Sequence, residues 1–461
     1  MNHSTKGLTM KSNLTRAGVT GLVLVSAGAL LAGCTTGGGS GDEVTITVSI
    51  DAGLEQEARD NFDARVAIFE ERNPGITVEA QEYTWTATTF TADLAGGTLP
   101  DVFPIPFTDG RGLIAAGQIA DISEYVDELP YADQFNPNVA QAGQAEDGSQ
   151  WAVPIAAYGQ GLHYNRTLFE AAGLDPDSPP TTWDEVREYA AAIAEATGEA
   201  GYATMTAGNT GGWILTTVVD AFGGRTEVDG EPTIGTDPAV REVLEYLHDL
   251  RWEDNSMGSN FLYEWGTINQ DFASGRIGMY VSGGGNYGNL VTQNALNPDD
   301  YGLAVLPLQG EDPGLLGGGT LVAVSPNATE AEQAAAVKWI DFYYLAKLTD
   351  EDTVVETAEL AASLDQPVGA PELPIFDTAQ YESYQSWISP FVNVPVDQMA
   401  PYTEAIFDQP LIPEPRVATQ EIYALLDTVV QAVLTDQNAD IAQLLADAQA
   451  QAEALYAKAG Q

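Results

Sequence analysis

The sequence predicts an α/β protein with a mainly parallel sheet, because a strand, a helix and a second strand follow one another near its start. Residues 44–50 (VTITVSI) alternate β-branched residues with other side chains, as a strand does. The next segment places Phe62 and Phe69 on one helical face, and an Asn-Pro-Gly sequence at 73–75 ends that helix. Residues 76–78 (ITV) then begin a second strand. This order is typical of a helix that connects two parallel strands.

Capping residues mark the helices that follow. The segment 182–185 forms a capping box, in which a threonine and a glutamate three residues later satisfy backbone N–H groups at a helix start. The segment 329–332 has the same pattern, and 237–238 supplies an aspartate N-cap followed by the proline favoured at the first helical position. Residues 421–458 are rich in alanine and leucine and predict two helices divided near residues 436–438.

The N-terminus predicts export and a lipid anchor. Three basic residues and no acidic one precede an apolar run at 19–31, so residues 1–33 have the composition of a secretory signal peptide. The run is shorter than the roughly 20 residues that a transmembrane helix needs. The sequence LAGC at 31–34 resembles the lipobox of bacterial lipoproteins, and Cys34 is the only cysteine of the chain. We therefore expect acyl chains (palmitate) on Cys34, with residues 34–43 as a tether to the outer face of the cell membrane.

Composition narrows the class of protein. The 461 residues include 17 Lys and Arg against 67 Asp and Glu, which gives a net charge of −50. A chain this acidic repels nucleic acid and anionic lipid, so we expect neither as an electrostatic partner. With 44% hydrophobic residues the chain can bury a large core, and its length suggests two or three domains. The folded part is expected to be stable without disulfides.

Several stretches, taken in order, resemble a known family. The stretches are VAIFEERNPGITVE (66–79), LAGGTLPDVF (94–103), LHYNRTLFEAAGLD (162–175), PPTTWDEV (179–186), GGRTEVDGEPTIGTDPAVREVLEYLHDL (223–250), INQDFASGRIGMYVSGGGNYG (268–288) and GGGTLVAVSPNATEAEQAAAVKWIDF (317–342). Together they resemble the family 1 extracellular solute-binding proteins of ABC importers, the group that includes maltose-binding protein. The resemblance spans about residues 44–456.

The resemblance implies a two-lobe fold of the periplasmic-binding-protein type (type II). Each lobe would be a mainly parallel sheet flanked by helices, and the chain would cross the hinge between the lobes three times. We expect these crossings near Val153–Ala157, Tyr280–Gly284 and Leu345–Thr349. The predicted lobes are then residues 44–153 plus 284–346 for lobe 1, and 154–283 plus 347–461 for lobe 2.

Nine residues are candidates for ligand contact in the cleft that this fold implies between its lobes. Sugar binding requires aromatic faces against the C–H faces of a pyranose ring, and polar side chains that pair with its hydroxyls. The candidates are aromatic or polar residues near strand ends, in glycine-rich segments or in loops: Trp85, Asp109, Tyr158, Trp213, Trp265, Asn286, Tyr287, Trp387 and Arg416.

Other conspicuous residues have structural interpretations. Trp183 lies at a predicted helix start, and Trp252 and Trp339 lie on helix faces, where tryptophan packs into a core. His163 is expected to pack near the hinge. Trp213 differs from these residues because it follows the sequence GNTGG, which predicts a loop in which an exposed indole is otherwise hard to justify.

Three functions are weighed against one another. The favoured one is a monomeric receptor that captures a mono- or oligosaccharide and delivers it to ABC permease subunits, with no cofactor, metal or catalytic residue. The second is a binding protein for another solute, such as a polyamine or a peptide, which the acidic composition would suit. The third is a secreted glycosidase that uses two carboxylates. The sequence contains no HExxH or GxSxG motif, which disfavours other common hydrolases.

Overall fold

The computed structural model describes residues 43–54, 56–415 and 417–459. The predicted signal peptide, the predicted lipidation site Cys34 with its tether up to Asp42, and the candidate Arg416 lie outside the described residues. The strands of the described chain are β1 (Val44–Ile50), β2 (Ile76–Glu82), β3 (Val102–Pro106), β4 (Val153–Tyr158), β5 (Gln160–Asn165), β6 (Ala200–Ala203), β7 (Glu227–Val228), β8 (Glu231–Pro232), β9 (Ile277–Gly283), β10 (Tyr301–Ala304), β11 (Leu315–Val324) and β12 (Leu411–Pro413).

Helices connect and cover these strands. The α-helices are α1 (Gln56–Arg72), α2 (Ala87–Gly96), α3 (Phe107–Ala115), α4 (Ser123–Val126), α5 (Pro137–Ala140), α6 (Arg166–Ala171), α7 (Trp183–Thr197), α8 (Thr210–Ala221), α9 (Pro238–Trp252), α10 (Trp265–Ala273), α11 (Tyr287–Asn294), α12 (Glu330–Ile340), α13 (Ala346–Thr349), α14 (Glu351–Ser363), α15 (Thr378–Ile388), α16 (Ala400–Thr403), α17 (Thr419–Thr435) and α18 (Ile441–Ala459). Single turns of 3₁₀ or π helix lie at Ala132–Gln134, Gln141–Gly143, Gly284–Asn286, Pro298–Asp300, Asp341–Leu345, Ser389–Phe391, Val396–Met399 and Ile406–Asp408.

The predicted helix starts are confirmed by their hydrogen bonds. Thr182 caps α7 by accepting the backbone N–H of Glu185, whose carboxylate accepts the N–H of Thr182 in return. The same reciprocal pair opens α12, and an aspartate followed by proline opens α9. The two C-terminal helices α17 and α18 are separated at residues 436–440. Because these caps satisfy N–H groups that a helix cannot pair internally, the sequence alone was sufficient to place them.

The first sheet contains the predicted parallel strands. Its order is β12-β11-β3-β1-β2, and β4 pairs with β11 as well. β1 runs parallel to β2, from Val44↔Ile76 to Ile50↔Glu82, and α1 connects the two strands as expected. β11 is antiparallel to both β3 and β4. The ten-residue β11 therefore pairs with both β3 and β4, and β4 is the strand from which the chain passes to the second sheet.

The second sheet has the order β10-β5-β9-β6. β6 is parallel to β9, whereas β5 is antiparallel to both β9 and β10. The two-sheet α/β architecture is therefore as predicted, but the second sheet is mixed rather than mainly parallel. β5 follows β4 of the first sheet directly through one residue, Gly159, with no helix between them.

The strand pairing differs from the predicted second crossing between lobes. The prediction assigns residues 284–346 to the first lobe, yet β10 pairs with β5 inside the second sheet. The chain therefore leaves the second sheet after Ala304 and joins the first at Leu315. The glycines that suggested a hinge turn the chain from β9 into α11, and at Gly284 a Cβ would lie 2.1 Å from the Tyr402 hydroxyl. A close approach, and not a crossing between lobes, accounts for that glycine.

The other two crossings also lie later in the chain than predicted. The first is at Gly159, just beyond the predicted 153–157. Residues 346–349 form α13, which packs with α14 and α15, so the third crossing is not there. Phe376 forms an isolated β-bridge with Phe135, which precedes β4 of the first sheet. The ring of Tyr402, by contrast, lies against β5 of the second sheet. The chain therefore passes to the second sheet between Phe376 and Tyr402 and returns to the first sheet at β12, which pairs with β11.

Aromatic residues form the centre of both lobes. Trp339 on α12 packs edge-on against Phe62 and Phe69 of α1, and Trp183 contacts Phe222 and Tyr246. Trp183 and Trp339 are buried, which confirms their predicted structural roles. Among the helices of the described chain, none combines the length and apolar character that crossing a bilayer requires.

Candidate ligand-binding site

Three consecutive glycines of β11, Gly317–Gly319, allow two aromatic rings to lie directly against the strand. Tyr158, the last residue of β4, is the register partner of Gly318. A Cβ on Gly318 would lie 2.4 Å from the Tyr158 hydroxyl, and one on Gly319 would lie 2.7 Å from the ring of Phe107. Any side chain at these positions would therefore displace an aromatic ring from this junction between the lobes.

Two predicted aromatic residues meet at this junction. The ring centroids of Tyr158 and Trp213 are 6.4 Å apart and their planes are inclined at 65°. Tyr158 belongs to the first sheet, and Trp213 lies in the first turn of α8, which follows β6 of the second sheet. Both are half-buried. Burial raises the pKa of the Tyr158 hydroxyl, with a smaller contribution from Glu414, so the phenol is neutral and can donate a hydrogen bond.

Trp213 is held by a helix start, and not by the loop that the sequence GNTGG predicts. Asn209 has a positive φ of 66°, and its side chain donates to Gln420. The cap of α8 comes from α17 instead, where the Asp427 carboxylate accepts the N–H groups of Asn209 and Gly212 at 2.7 and 2.8 Å. A carboxylate at this end is also favoured by the helix dipole. The glycines are required because a Cβ on Gly212 would lie 2.2 Å from the carbonyl oxygen of Tyr423.

A second pair of predicted residues meets in the first lobe. Asp109, in the first turn of α3, accepts a hydrogen bond from the Thr108 hydroxyl at 3.1 Å. Burial raises the pKa of Asp109, while Thr108 and the nearby Trp85 indole lower it. The Trp85 ring is stacked over Phe103, with centroids 6.5 Å apart, and contacts Phe90. The structure therefore brings Trp85 and Asp109 together as an aromatic face with a carboxylate beside it.

Glu414 is a site residue that the sequence reasoning missed. It follows β12, lies between Pro413 and Pro415, and accepts a hydrogen bond from the Tyr423 hydroxyl at 3.2 Å. Burial raises its pKa, and the tyrosine lowers it. A glutamate between two prolines in a segment predicted as loop was the available signal. With 67 acidic residues in the chain, that signal did not distinguish Glu414.

Two cavities lie next to these groups, and Glu414 lines the larger of them. A cavity of about 60 Å³ is lined by Thr108, Arg111, Gly317 and Pro413, among others. A larger one, of about 280 Å³, shares Pro413. Its lining residues are Thr216, Asp220, Arg225, Thr226, Glu227, Val228, Ile412, Pro413, Glu414 and Pro415. The cavity beside α3 and the cavity beside α8 therefore adjoin at Pro413, while Trp85, Asp109, Tyr158 and Trp213 line neither.

The remaining predicted site residues lie elsewhere. Asn286 is buried and donates to Asn269 Oδ1 at 2.9 Å and to the Tyr280 hydroxyl at 3.0 Å. Tyr287 is 1% exposed, with its ring 5.0 Å from that of Tyr301. These contacts are all within the interior of the second lobe.

Trp265 and Trp387 also lie apart from the junction. Trp265 is the first residue of α10 and is 41% exposed. Trp387 packs on a small apolar cluster that includes Val354 and Ile388, between α14 and α15. The structure therefore brings four of the nine candidates together in two pairs and distributes four others, while Arg416 lies outside the described residues.

His163 has the packing role that its position suggested. It is fully buried, with the Tyr301 hydroxyl 2.9 Å from Nδ1 and the Gly283 carbonyl 3.1 Å from Nε2. Burial lowers its pKa to about 4, although hydrogen bonds to the backbone raise it. The imidazole is therefore neutral at physiological pH and completes the core of the second sheet.

Two α/β lobes with aromatic and acidic side chains at their junction define a solute-binding protein. Residues 47–349 match the family model described as bacterial extracellular solute-binding protein, and the chain belongs to that family. The family consists of binding proteins of ABC transporters, so the chain is a binding protein and not an enzyme. An extracytoplasmic location follows from the family.

Known proteins similar to this chain differ in what their names say they bind. The sn-glycerol-3-phosphate-binding periplasmic protein UgpB of Agrobacterium fabrum is 28% identical over 254 residues, which are 52% of this chain and 57% of that protein. A solved structure of the cyclic alpha-maltosyl-1,6-maltose binding protein from Arthrobacter globiformis has a TM-score of 0.65 at 23% identity. That match covers 90% of this chain and 99% of the other.

A second solved structure contains a bound ligand of the glycerophosphate type. UgpB from Mycobacterium tuberculosis, in complex with glycerophosphocholine, has a TM-score of 0.63 at 17% identity. The match covers 92% of this chain and 100% of the other. At these identities the two solved structures establish the shared two-lobe fold, and the ligand must be argued from the residues of this chain.

Proposed function

We propose that this protein is the solute receptor of an ABC importer and that it captures a carbohydrate between its two lobes. The observation that carries this proposal is the Tyr158–Trp213 pair, because it presents two half-buried aromatic rings from different lobes beside Glu414. Aromatic faces suit the C–H faces of a sugar, and carboxylates accept hydrogen bonds from its hydroxyls. The Trp85–Asp109 pair offers the same combination in the first lobe.

Contacts from both lobes provide a mechanism for signalling that ligand is bound. A ligand that touches Tyr158 and Trp213 together binds the closed arrangement of the lobes more tightly than the open one, so it shifts the population towards closure. The hinge would be Gly159 together with residues 305–314, which join the two sheets. The closed form then delivers the solute to permease subunits in the membrane, and the receptor acts as a monomer.

The second candidate is an anionic glycerophosphate, as the names of the UgpB relatives suggest. The described groups of the site do not favour it. Glu414 and Asp109 are carboxylates, and the guanidinium of Arg111 donates to the carbonyl and side-chain oxygens of Gln141 at 3.0 Å. An anion would have to be desolvated beside these carboxylates, which is costly. A neutral sugar meets no such penalty.

Calorimetric titration of the purified protein with sugars and with sn-glycerol 3-phosphate tests this proposal. We expect binding of a neutral sugar that Trp213→Ala weakens by about 30-fold or more, as the loss of a buried aromatic contact predicts. Trp387→Ala is the matched control, because it removes an indole from the cluster between α14 and α15. Binding of the phosphate alone, or equal losses in both variants, would contradict the proposed ligand or the proposed site.

We also propose that Cys34 anchors this receptor to the membrane, as its lipobox-like context indicates. Two or more acyl chains bury enough methylene groups to hold a protein on a bilayer stably. Cells that express Cys34→Ser should release the receptor into the soluble fraction, while the wild-type protein stays with membranes and incorporates labelled palmitate. A soluble wild-type protein without label would remove the anchor from the proposal and leave the binding function unaffected.

A further inference from the structure

The 280 Å³ cavity between α8 and the segment after β12 contains three buried polar atoms without a hydrogen-bond partner among the described residues. They are Oγ1 of Thr216, Oδ2 of Asp220 and Oγ1 of Thr226. The three side chains are between 1% and 3% exposed. Thr216 and Asp220 are four residues apart on α8 and so lie on one face of that helix. We call this space the Asp220 pocket.

Unpaired buried polar atoms are rare, and their concentration in one cavity requires an explanation. Two further cavities, one beside α3 and one between α14 and α15, provide a comparison, because no side chain that lines either of them has such an atom. Nine further such atoms of the described residues lie on side chains that line none of these three cavities, so only the three of the Asp220 pocket could be paired by a group that enters one of them. Three side chains that face the same space with unused hydrogen-bonding capacity indicate a group that fills the space when the protein is loaded.

The chemistry of the lining identifies that group. A threonine hydroxyl can donate and accept, while a carboxylate only accepts, so the best partner is a cluster of hydroxyl groups that can do both. Glu227 and Glu414 add two more acidic side chains to the wall. The Arg225 guanidinium donates to the carbonyl oxygens of Gly224 and Asp312, at 2.5 and 2.9 Å, and lies 3.9 Å from Asp220 Oδ1. Two of its five N–H donors are thus in use, and an anionic ligand would face three acidic side chains.

The position of the pocket sets a minimum length for the ligand. Trp213 and Asp220 are seven residues apart on α8, which corresponds to about 10 Å along the helix axis. Glu414 connects the two regions, since it lines the pocket and acts electrostatically on Tyr158. Thr216 lines the near end of the pocket, only three residues from Trp213, so the longer distance applies to a ligand that contacts the aromatic pair and also reaches Asp220 at the far end. A disaccharide spans that distance, and a single pyranose ring does not.

We propose that the Asp220 pocket is a specificity subsite that receives the uncharged, hydroxyl-rich end of a ligand at least as long as a disaccharide. This inference rests on the proposed function, because the other end of the ligand lies on the Tyr158–Trp213 pair. Thr216, Asp220 and Thr226 contact the hydroxyls directly. The pocket therefore selects against monosaccharides, which cannot reach Asp220 from the aromatic pair, and against phosphorylated ligands.

Substitutions that remove a hydroxyl group and keep the shape of the side chain test this subsite. Thr216→Val and Thr226→Val each remove one unpaired oxygen, and Thr217→Val is the matched control because its hydroxyl already donates to the Trp213 carbonyl at 2.9 Å. Titration uses neutral mono-, di- and trisaccharides and sn-glycerol 3-phosphate, and denaturant unfolding measures the stability of the ligand-free protein. We expect each pocket variant to bind the preferred di- or trisaccharide about tenfold more weakly, which is a typical effect of one lost hydrogen bond.

The unfolding measurement separates a ligand subsite from a structural role. Without ligand, Thr216→Val and Thr226→Val should be as stable as the wild type or more stable, because each removes a buried unpaired oxygen, whereas Thr217→Val should be less stable. Unchanged sugar affinity together with raised stability would mean that the pocket holds only water, and it would overturn the subsite.

Failure of the subsite and failure of the proposed function give different results. If a sugar binds and Trp213→Ala abolishes it while the pocket variants bind normally, the receptor stands and the subsite is wrong. If sn-glycerol 3-phosphate binds and no sugar does, both the carbohydrate proposal and the neutral subsite are wrong. If a monosaccharide binds as tightly as every longer sugar, the length requirement is wrong.

Discussion

Two cavities of this protein differ in chemistry more than in size. The larger, of about 340 Å³, runs between β4, α14 and α15, and it combines a buried apolar wall of Val354, Ala358 and Leu373 with exposed polar residues such as Lys347 and Glu372. The Asp220 pocket, of about 280 Å³, is lined by threonines and carboxylates. In the larger cavity the polar Gln380 is paired with the Leu348 carbonyl, whereas Asp220 and its neighbouring threonines have unused hydrogen-bonding atoms.

This difference shows why volume alone does not identify a binding site. An apolar cavity loses only dispersion contacts by staying empty, and such cavities can remain dry. Each unpaired buried polar atom costs about 1–3 kcal/mol until a partner arrives. A cavity with such atoms is therefore less stable when empty, and that free energy favours occupancy. The polar cavity, although smaller, is the better candidate for ligand binding.

The largest expected effect concerns the residue that positions Trp213 beside the polar cavity. Asp427→Ala removes the acceptor of two backbone N–H groups at the start of α8. Leaving these buried donors unpaired should lower the free energy of unfolding by about 2–4 kcal/mol. In the apolar region, Asp350 caps α14 by accepting the N–H of Thr353 from a more exposed position.

Asp350→Ala should cost only about 1 kcal/mol, as loss of an ordinary N-cap does. Urea unfolding of the two variants measures the contrast. Ligand affinity should also fall in Asp427→Ala, because the first turn of α8 carries Trp213, and should be unchanged in Asp350→Ala. Equal losses of stability, or an intact site in Asp427→Ala, would show that the cap from α17 does not hold the ligand-binding helix.

The next effect is a gain in stability at the expense of binding. Burial holds the pKa of Asp220 well above its ordinary value of 3.8, although Arg225 lowers it and Asp237 raises it further. Tyr423 and Glu414 face the same region from α17 and from the segment after β12. A folded state that keeps a proton the unfolded chain has released loses stability as pH rises. The free energy of unfolding should therefore fall from about pH 4 upwards, through the raised pKa.

Asp220→Asn should remove this dependence and stabilise the ligand-free protein by about 1–2 kcal/mol at pH 7, because a buried charge is no longer required. The same variant should bind sugar more weakly, since an amide replaces one of the acceptors. Urea unfolding at pH 5 and pH 8 measures the first effect. Glu372→Gln, on the exposed rim of the apolar cavity, should change stability by less than about 0.5 kcal/mol. Loss of stability in Asp220→Asn would indicate a structural ion pair with Arg225.

The sequence was sufficient for those features that local physical chemistry determines. The capping pairs at Thr182 and Thr329, the strand at 44–50 and the βα unit after it depend on neighbouring residues, so their patterns are visible in the sequence. The pairing of β10 with β5 joins residues more than a hundred positions apart, and nothing local indicates it. The predicted lobe boundary at 284 failed to anticipate this pairing for that reason.

The site was less predictable than the fold because glycine has several uses. Around Trp213 the glycines suggested a loop, yet they allow α8 to approach Tyr423 closely. At 283–285 they suggested a hinge at Asn286 and Tyr287, and both residues lie in the interior of the second lobe. Glu414 and Asp220 could not be selected among 67 acidic residues without knowing that they share a cavity.

The smallest expected effect is on the apolar cavity itself. Ala358 lies on α14, is 5% exposed and faces that space, so Ala358→Leu places three more carbon atoms where room exists. Filling an apolar cavity should raise the free energy of unfolding by about 0.5–1 kcal/mol. Sugar affinity should not change, because no group of the proposed site lines the apolar cavity. If Ala358→Leu instead weakens sugar binding while the protein remains stable, the ligand uses the larger cavity, and apolar volume outweighs unpaired polar atoms in this receptor.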